Sequence, residues 1–185
     1  MSIVFQKISI KTGMPEDVTN AVKMNPELKK LGKEELYSLL LELSSLRKEN
    51  ADFLRLKLQS GTDEAVTYYK KKIKEALWQE KTNLREAKKA LVDFKKISKN
   101  PEHLLELMIF YVENGEKIDN EHGDMYEAFY SSMETMFDQI IKTLNSNTNL
   151  IPKFKGRLDS IIDKSCEGWA HKDTMLDIYE ELKND

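Results

Sequence analysis

The chain has 185 residues, 40% hydrophobic and 33% charged, with a formal net charge of −3, and a chain of that length buries about 70% of its unfolded surface without a disulfide or metal staple. Seven glycines and four prolines argue against a turn-dense β architecture, and a lone Cys166 excludes an intramolecular disulfide and a CxxC metal knuckle. No run approaches the roughly eighteen apolar residues a membrane span requires, so no membrane role is expected.

Residues 1–23 alternate Ile3, Phe5, Ile8 and Ile10 with polar residues but have no second strand to pair with. They lack the basic opening and long apolar centre of a signal peptide and read as a loosely attached tail, ahead of one helical domain over 24–185. With the single thiol, that points to a cytoplasmic location. From Pro26 the period is helical: Leu28, Leu31, Leu36, Leu39, Leu40, Leu43 and Leu46 form one leucine face. Asn50 reads as the cap of a short helix carrying Phe53, Leu54 and Leu58, ending near Ser60-Gly61.

Thr62 or Asp63 opens a long pattern of Val66, Tyr69, Ile73, Leu77, Leu84, Leu91 and Phe94. Its continuous phase allows one helix, but polar residues 79–83 and the Asn83-x-x-Glu86 spacing of a capping box favour two with a break near 80–83. Asn100-Pro101 is a cap followed by proline at the first helical position. The helix it opens carries Leu104, Leu105, Leu107, Met108, Tyr111 and Val112 and is expected to stop at Asn114-Gly115, with a polar loop over 116–123. Asp124 and Glu127 then make a second capping pair, before a helix with Phe129, Met133, Met136, Phe137, Ile140, Ile141 and Leu144. Two last helices hold Phe154, Leu158, Ile161 and Ile162, and Met175, Leu176, Tyr179 and Leu182. The whole predicts an all-α fold of six to eight short-to-medium helices, as a helical-hairpin array (HEAT-like) or a bundle.

Several segments carry a resemblance: Leu28-Lys29-Lys30-Leu31 with Lys33-Glu34-Glu35-Leu36, Leu84-Arg85-Glu86-Ala87-Lys88-Lys89-Ala90, Asp93-Phe94-Lys95-Lys96, Glu106-Leu107-Met108-Ile109-Phe110-Tyr111-Val112-Glu113, Gly123-Asp124, and Phe129-Tyr130-Ser131-Ser132-Met133-Glu134. Over about residues 27–145 the chain resembles a family of uncharacterised bacterial proteins, a domain of unknown function whose members usually begin near the position of Met24. The resemblance implies a small helical intracellular protein and brings no activity or site.

Charge is uneven. Residues 70–99 carry eleven Lys/Arg against four Asp/Glu, and residues 100–149 two against ten. The simplest reading is complementary solvated faces of neighbouring helices. The functional reading is a basic binding face of Lys70, Lys74, Lys81, Arg85, Lys88 and Lys95 for an acidic protein, or alternatively for nucleic acid or the ribosome. Tyr68 and Trp78 are the only aromatics near it, which is thin support for base stacking.

A third reading is a metal-dependent enzyme around His122, which would need two of Asp119, Glu121 and Asp124 as further ligands. No H-x-x-x-H or EF-hand spacing supports it, and Asp124 is already expected to cap a helix. Trp169 reads as packing at a helix corner, with His171 or Asp173 capping the last helix; Cys166, in phase with Leu158 and Ile162, reads as an inert core thiol. Phosphate loops and nucleophile elbows are absent, so no cofactor is expected. The sequence therefore predicts a non-enzymatic macromolecular interaction module.

Overall fold

Polar caps and glycines set the helix boundaries in the computed structural model, which describes residues 25–58, 63–123 and 125–183. The side chains of Asn25 and Trp169, the proposed tail, Thr62 and Asp124 lie outside the described residues. By compactness the chain divides into two units, 1–51 and 52–185. Among the described residues there are nine α-helices and no strand, so the fold is all-α. None of the helices is long and apolar enough to cross a membrane.

The first unit contains α1 (Asn25–Leu28) and α2 (Lys33–Leu46). They are separate because Gly32 adopts an extended conformation (φ −69°, ψ 167°), and its N–H donates to the Glu35 carboxylate at 2.7 Å. With that break the described residues hold nine helices, one more than the six to eight expected. The leucines of α2 form the stripe the sequence describes, yet none is buried: Leu40 is 47% exposed and Leu46 73%. Helix α3 (Lys48–Leu58) starts earlier than Asn50, whose side chain donates to Leu43 O at 2.8 Å instead of capping.

In the second unit α4 (Asp63–Leu77) and α5 (Leu84–Ile97) form a hairpin, with the break where the polar run predicts it. Asn83 closes it twice, donating its N–H to Ala76 O at 2.9 Å and accepting the Glu86 N–H at 3.1 Å. Asn100 accepts the Glu102 N–H at 3.0 Å and starts α6 (Pro101–His122). Helix α6 packs against α4, α5, α7 (Glu127–Asn145) and α8 (Ile151–Lys164). The last helix, α9 (His171–Glu180), lies on α7.

The main departure from the sequence reading lies in α6, which runs for 22 residues, about 33 Å, straight through Asn114-Gly115 and the expected loop. Tertiary contacts overrule the local stop signal. Asn114 donates to Phe110 O one turn back and accepts the indole N–H of Trp78 at 3.0 Å. A Cβ on Gly115 would collide with Met133 Sδ, so the glycine is there for the close approach of α7. Glu116 and Asp119, expected in a solvated loop, are buried. The helix ends instead at Gly123, whose φ of +66° and ψ of 168° suit only glycine. Helix α7 then begins at Glu127 with Tyr126 in the cap position and no side-chain cap, so Glu127 is not the third residue of a capping box.

Gly115→Ala should destabilise the protein by about 1–3 kcal/mol despite alanine's better helix propensity, because Met133 is fully buried and has nowhere to go. Combined with Met133→Ala, whose cavity accepts the new methyl, the total loss should fall short of the sum of the single losses in denaturant titrations.

Candidate functional site

The six basic positions named from sequence are placed differently. Lys70 turns towards α6, where its ammonium pairs with Glu106 and lies 5.3 Å from the Phe110 ring centroid. Glu106 also accepts Arg157 Nη1 of α8 at 2.7 Å, while Arg157 Nε and Nη2 grip both oxygens of Glu113 at 2.7 Å. Burial alone would raise the Glu106 carboxyl, but Lys70 and Arg157 outweigh it and hold the group below the usual carboxylate range. Lys70 is therefore a clamp between α4, α6 and α8. It is also the single ion pair, among the described residues, that joins the basic 70–99 segment to the acidic 100–149 segment.

Lys74, Lys81, Arg85 and Lys95 are exposed and make no ion pair with a described residue. Lys88 and Lys95, two turns apart on α5, line a groove of about 170 Å³ between α5 and α7. Its floor is Leu91, Val92, Met108 and Met136, and Thr135 and Gln139 of α7 form the far wall. Val92 is 54% exposed there. Lys88 is half-buried against this apolar floor, and desolvation lowers its pKa from the ordinary lysine value, with no carboxylate offsetting it.

A second constellation is buried. His171, the first residue of α9, is 1% exposed, and both its ring nitrogens face carboxylates. Nδ1 is 2.8 Å from Glu134 Oε1 of α7, and Nε2 is 3.1 Å from Glu116 Oε1 of α6. Glu116 Oε2 is buried without a hydrogen-bond partner. Burial alone would push the imidazole down, but the hydrogen bonds and charges of Glu116 and Glu134 outweigh it and raise its pKa above the ordinary histidine value. The residue expected to cap α9 is thus part of the core, and Ala170, at φ +54°, stands in the cap position.

Beside it, Tyr130 donates to Asp119 Oδ1 at 2.7 Å and accepts the Met125 N–H at 3.1 Å. Cys166 Sγ lies 3.6 Å from the same phenol oxygen. Burial, with Asp119 next, raises the Tyr130 pKa, so it stays a neutral donor. Burial also raises the Cys166 thiol, which is not activated as a nucleophile, and His171 is committed to its glutamates. The metal candidates do not converge: Asp119 is buried on Tyr130, whereas His122 is exposed beside Trp78 and Met125. No three His, Cys, Asp or Glu side chains among the described residues are placed to hold a metal ion.

Sequence reasoning missed Glu116, Glu134, Tyr130 and Arg157. The partners of His171 stand 55 and 37 positions away, and no local spacing encodes such a pair.

The chain belongs to a family of unknown function (DUF6155), whose model matches residues 22–183, further than the 27–145 over which its motifs carry the likeness. No curated protein and no solved structure matches it.

Tyr130→Phe removes the donor to a buried carboxylate while keeping the ring. It should cost about 1–3 kcal/mol in chemical denaturation, the penalty for leaving Asp119 Oδ1 and the Met125 N–H unpaired.

Proposed function

We propose that this member of the family is a non-enzymatic interaction module that binds an acidic segment of a partner protein along α5. Lys88 and Lys95 receive carboxylates in the α5–α7 groove, and the exposed Lys74, Lys81 and Arg85 add to the positive charge of the same segment. A single observation carries this reading: Lys88 is partly desolvated on an apolar floor with no acidic partner among the described residues. An incoming carboxylate relieves that cost, whereas a fully solvated lysine would gain little from one. The methionines and leucine below offer an adaptable apolar surface for the same segment's nonpolar side chains. The groove contains no aromatic side chain on which a base would stack, and this favours an acidic protein over nucleic acid.

The test is fluorescence anisotropy with a labelled helical peptide of alternating Glu and Leu turns, beside a labelled oligo-dT. The protein should bind the peptide, more weakly as salt rises. Lys88→Gln with Lys95→Gln should weaken that binding at least tenfold, about 1.4 kcal/mol. Stability should change by no more than about 0.5 kcal/mol per substitution, since neither lysine has an ion pair with a described residue to lose. Equal binding by the variant sinks the groove assignment, and tighter binding of oligo-dT than of the peptide transfers the surface to nucleic acid.

A further inference from the structure

Helix α9 has ten residues, and only His171 and Met175 are buried. Its docking on α7 therefore leans heavily on its first residue. Beyond these, Ile178 and Tyr179 pack half-buried against the core and Leu182, just past the helix, is buried; Tyr179 also bonds Asp159 and sits 6.3 Å from the Phe137 ring centroid, and Asn145 holds Glu181 O at 2.9 Å. At the entrance to the helix Ala170 sits in the left-handed region, where a residue with a Cβ is strained. A helix with two buried side chains and a strained entrance is a segment that a local change can undock.

We infer that α9 is a strap held shut by a proton: the imidazolium of His171, clamped between Glu116 of α6 and Glu134 of α7, docks the helix, and loss of that proton releases it. The argument is one of pairing. Both ring nitrogens must carry hydrogen for both carboxylates to be satisfied, and only the cation has two N–H groups. A neutral ring donates to one glutamate and turns a lone pair on the other. It also leaves two carboxylates near each other with no cation between them, since neither glutamate has another ion-pair partner among the described residues. Glu116 is worst placed, because its second oxygen is already buried and unpaired.

Lys117 of α6 and Lys164 at the end of α8 line one cleft with Glu116, but among the described residues neither is within ion-pair distance of Glu116 or Glu134. From α6 the neighbours are Glu116 and Asp119, the latter reached through Tyr130. From α7 they are Glu134 and Tyr130, whose ring centroid is 5.0 Å from the imidazole. The turn after α8 contributes Cys166 against Tyr130. Lys155 of α8 also reaches the strap, where it is held by Asp159 and Tyr179. Because the folded pKa of His171 lies above its unfolded value, the latch contributes in full below pH about 6.5 and is lost as pH rises through the raised value.

Proton NMR of the full chain tests this directly, since it has only three histidines. The His171 ring signal should titrate with a midpoint above 6.5, and the α9 amide signals should move with that midpoint while those of α4 and α5 do not. Glu134→Gln keeps a hydrogen-bond acceptor and removes a charge, so it should fold and lower the midpoint by about one pH unit, with α9 release following it down. His171→Gln should remove the pH dependence of α9 altogether. A His171 midpoint at or below 6.5, or α9 amides unmoved through the titration, overturns the inference. So does a Glu134→Gln protein whose midpoint does not shift.

Discussion

Where α6 passes Met133, the missing side chain of Gly115 lets α7 come close enough to cover the backbone on that side, and the middle of α6 can then carry buried polar groups. Asn114, Glu116 and Asp119 sit within little more than one helical turn. Each is buried only because a partner reaches it from another element: Trp78 from the turn after α4, His171 from α9, Tyr130 from α7. Burying a polar group without such a partner costs several kcal/mol. The approach at Gly115 and the three hydrogen bonds are thus one arrangement, and the order of helices around α6 follows from it.

The opposite charges of the 70–99 and 100–149 segments suggest helices paired through salt bridges, but the chain uses that complementarity sparingly. Lys70 and Arg157 are consumed by Glu106 and Glu113, where half-burial gives the pairs geometric value. Most other lysines of α4 and α5 pair locally, as Lys71 with Glu75 or Lys96 with Asp93, or make no pair with a described residue. Exposed local pairs of this kind contribute little stability. What they leave is a surface rich in uncommitted positive charge beside a floor of methionines.

The sequence made the helices legible wherever period and cap agree. Asn83 and Asn100 mark their boundaries because a short polar side chain there satisfies a free backbone N–H, which is a local requirement. Local signals misled where a distant residue decides. Asn114-Gly115 looks like a helix stop, and only Trp78 and Met133 make it helix interior. His171 looks like a surface cap, and only the glutamates of α6 and α7 that face its two ring nitrogens make it part of the core. The candidate groove was half legible: Lys88 and Lys95 stand in the basic stripe, but the wall formed by Thr135 and Gln139 comes from another helix.

The central position of α6 sets how the molecule opens. To expose its amides to solvent, several neighbouring helices must leave at once, because α4, α5, α7 and α8 all rest on it. Exchange of those amide hydrogens should therefore wait on cooperative unfolding, which makes α6 the segment expected to exchange slowest. In α2, where no side chain is buried, each turn opens alone and exchange follows local fraying. Protection along one chain is thus expected to be graded by how many neighbours each segment must shed before water reaches its backbone.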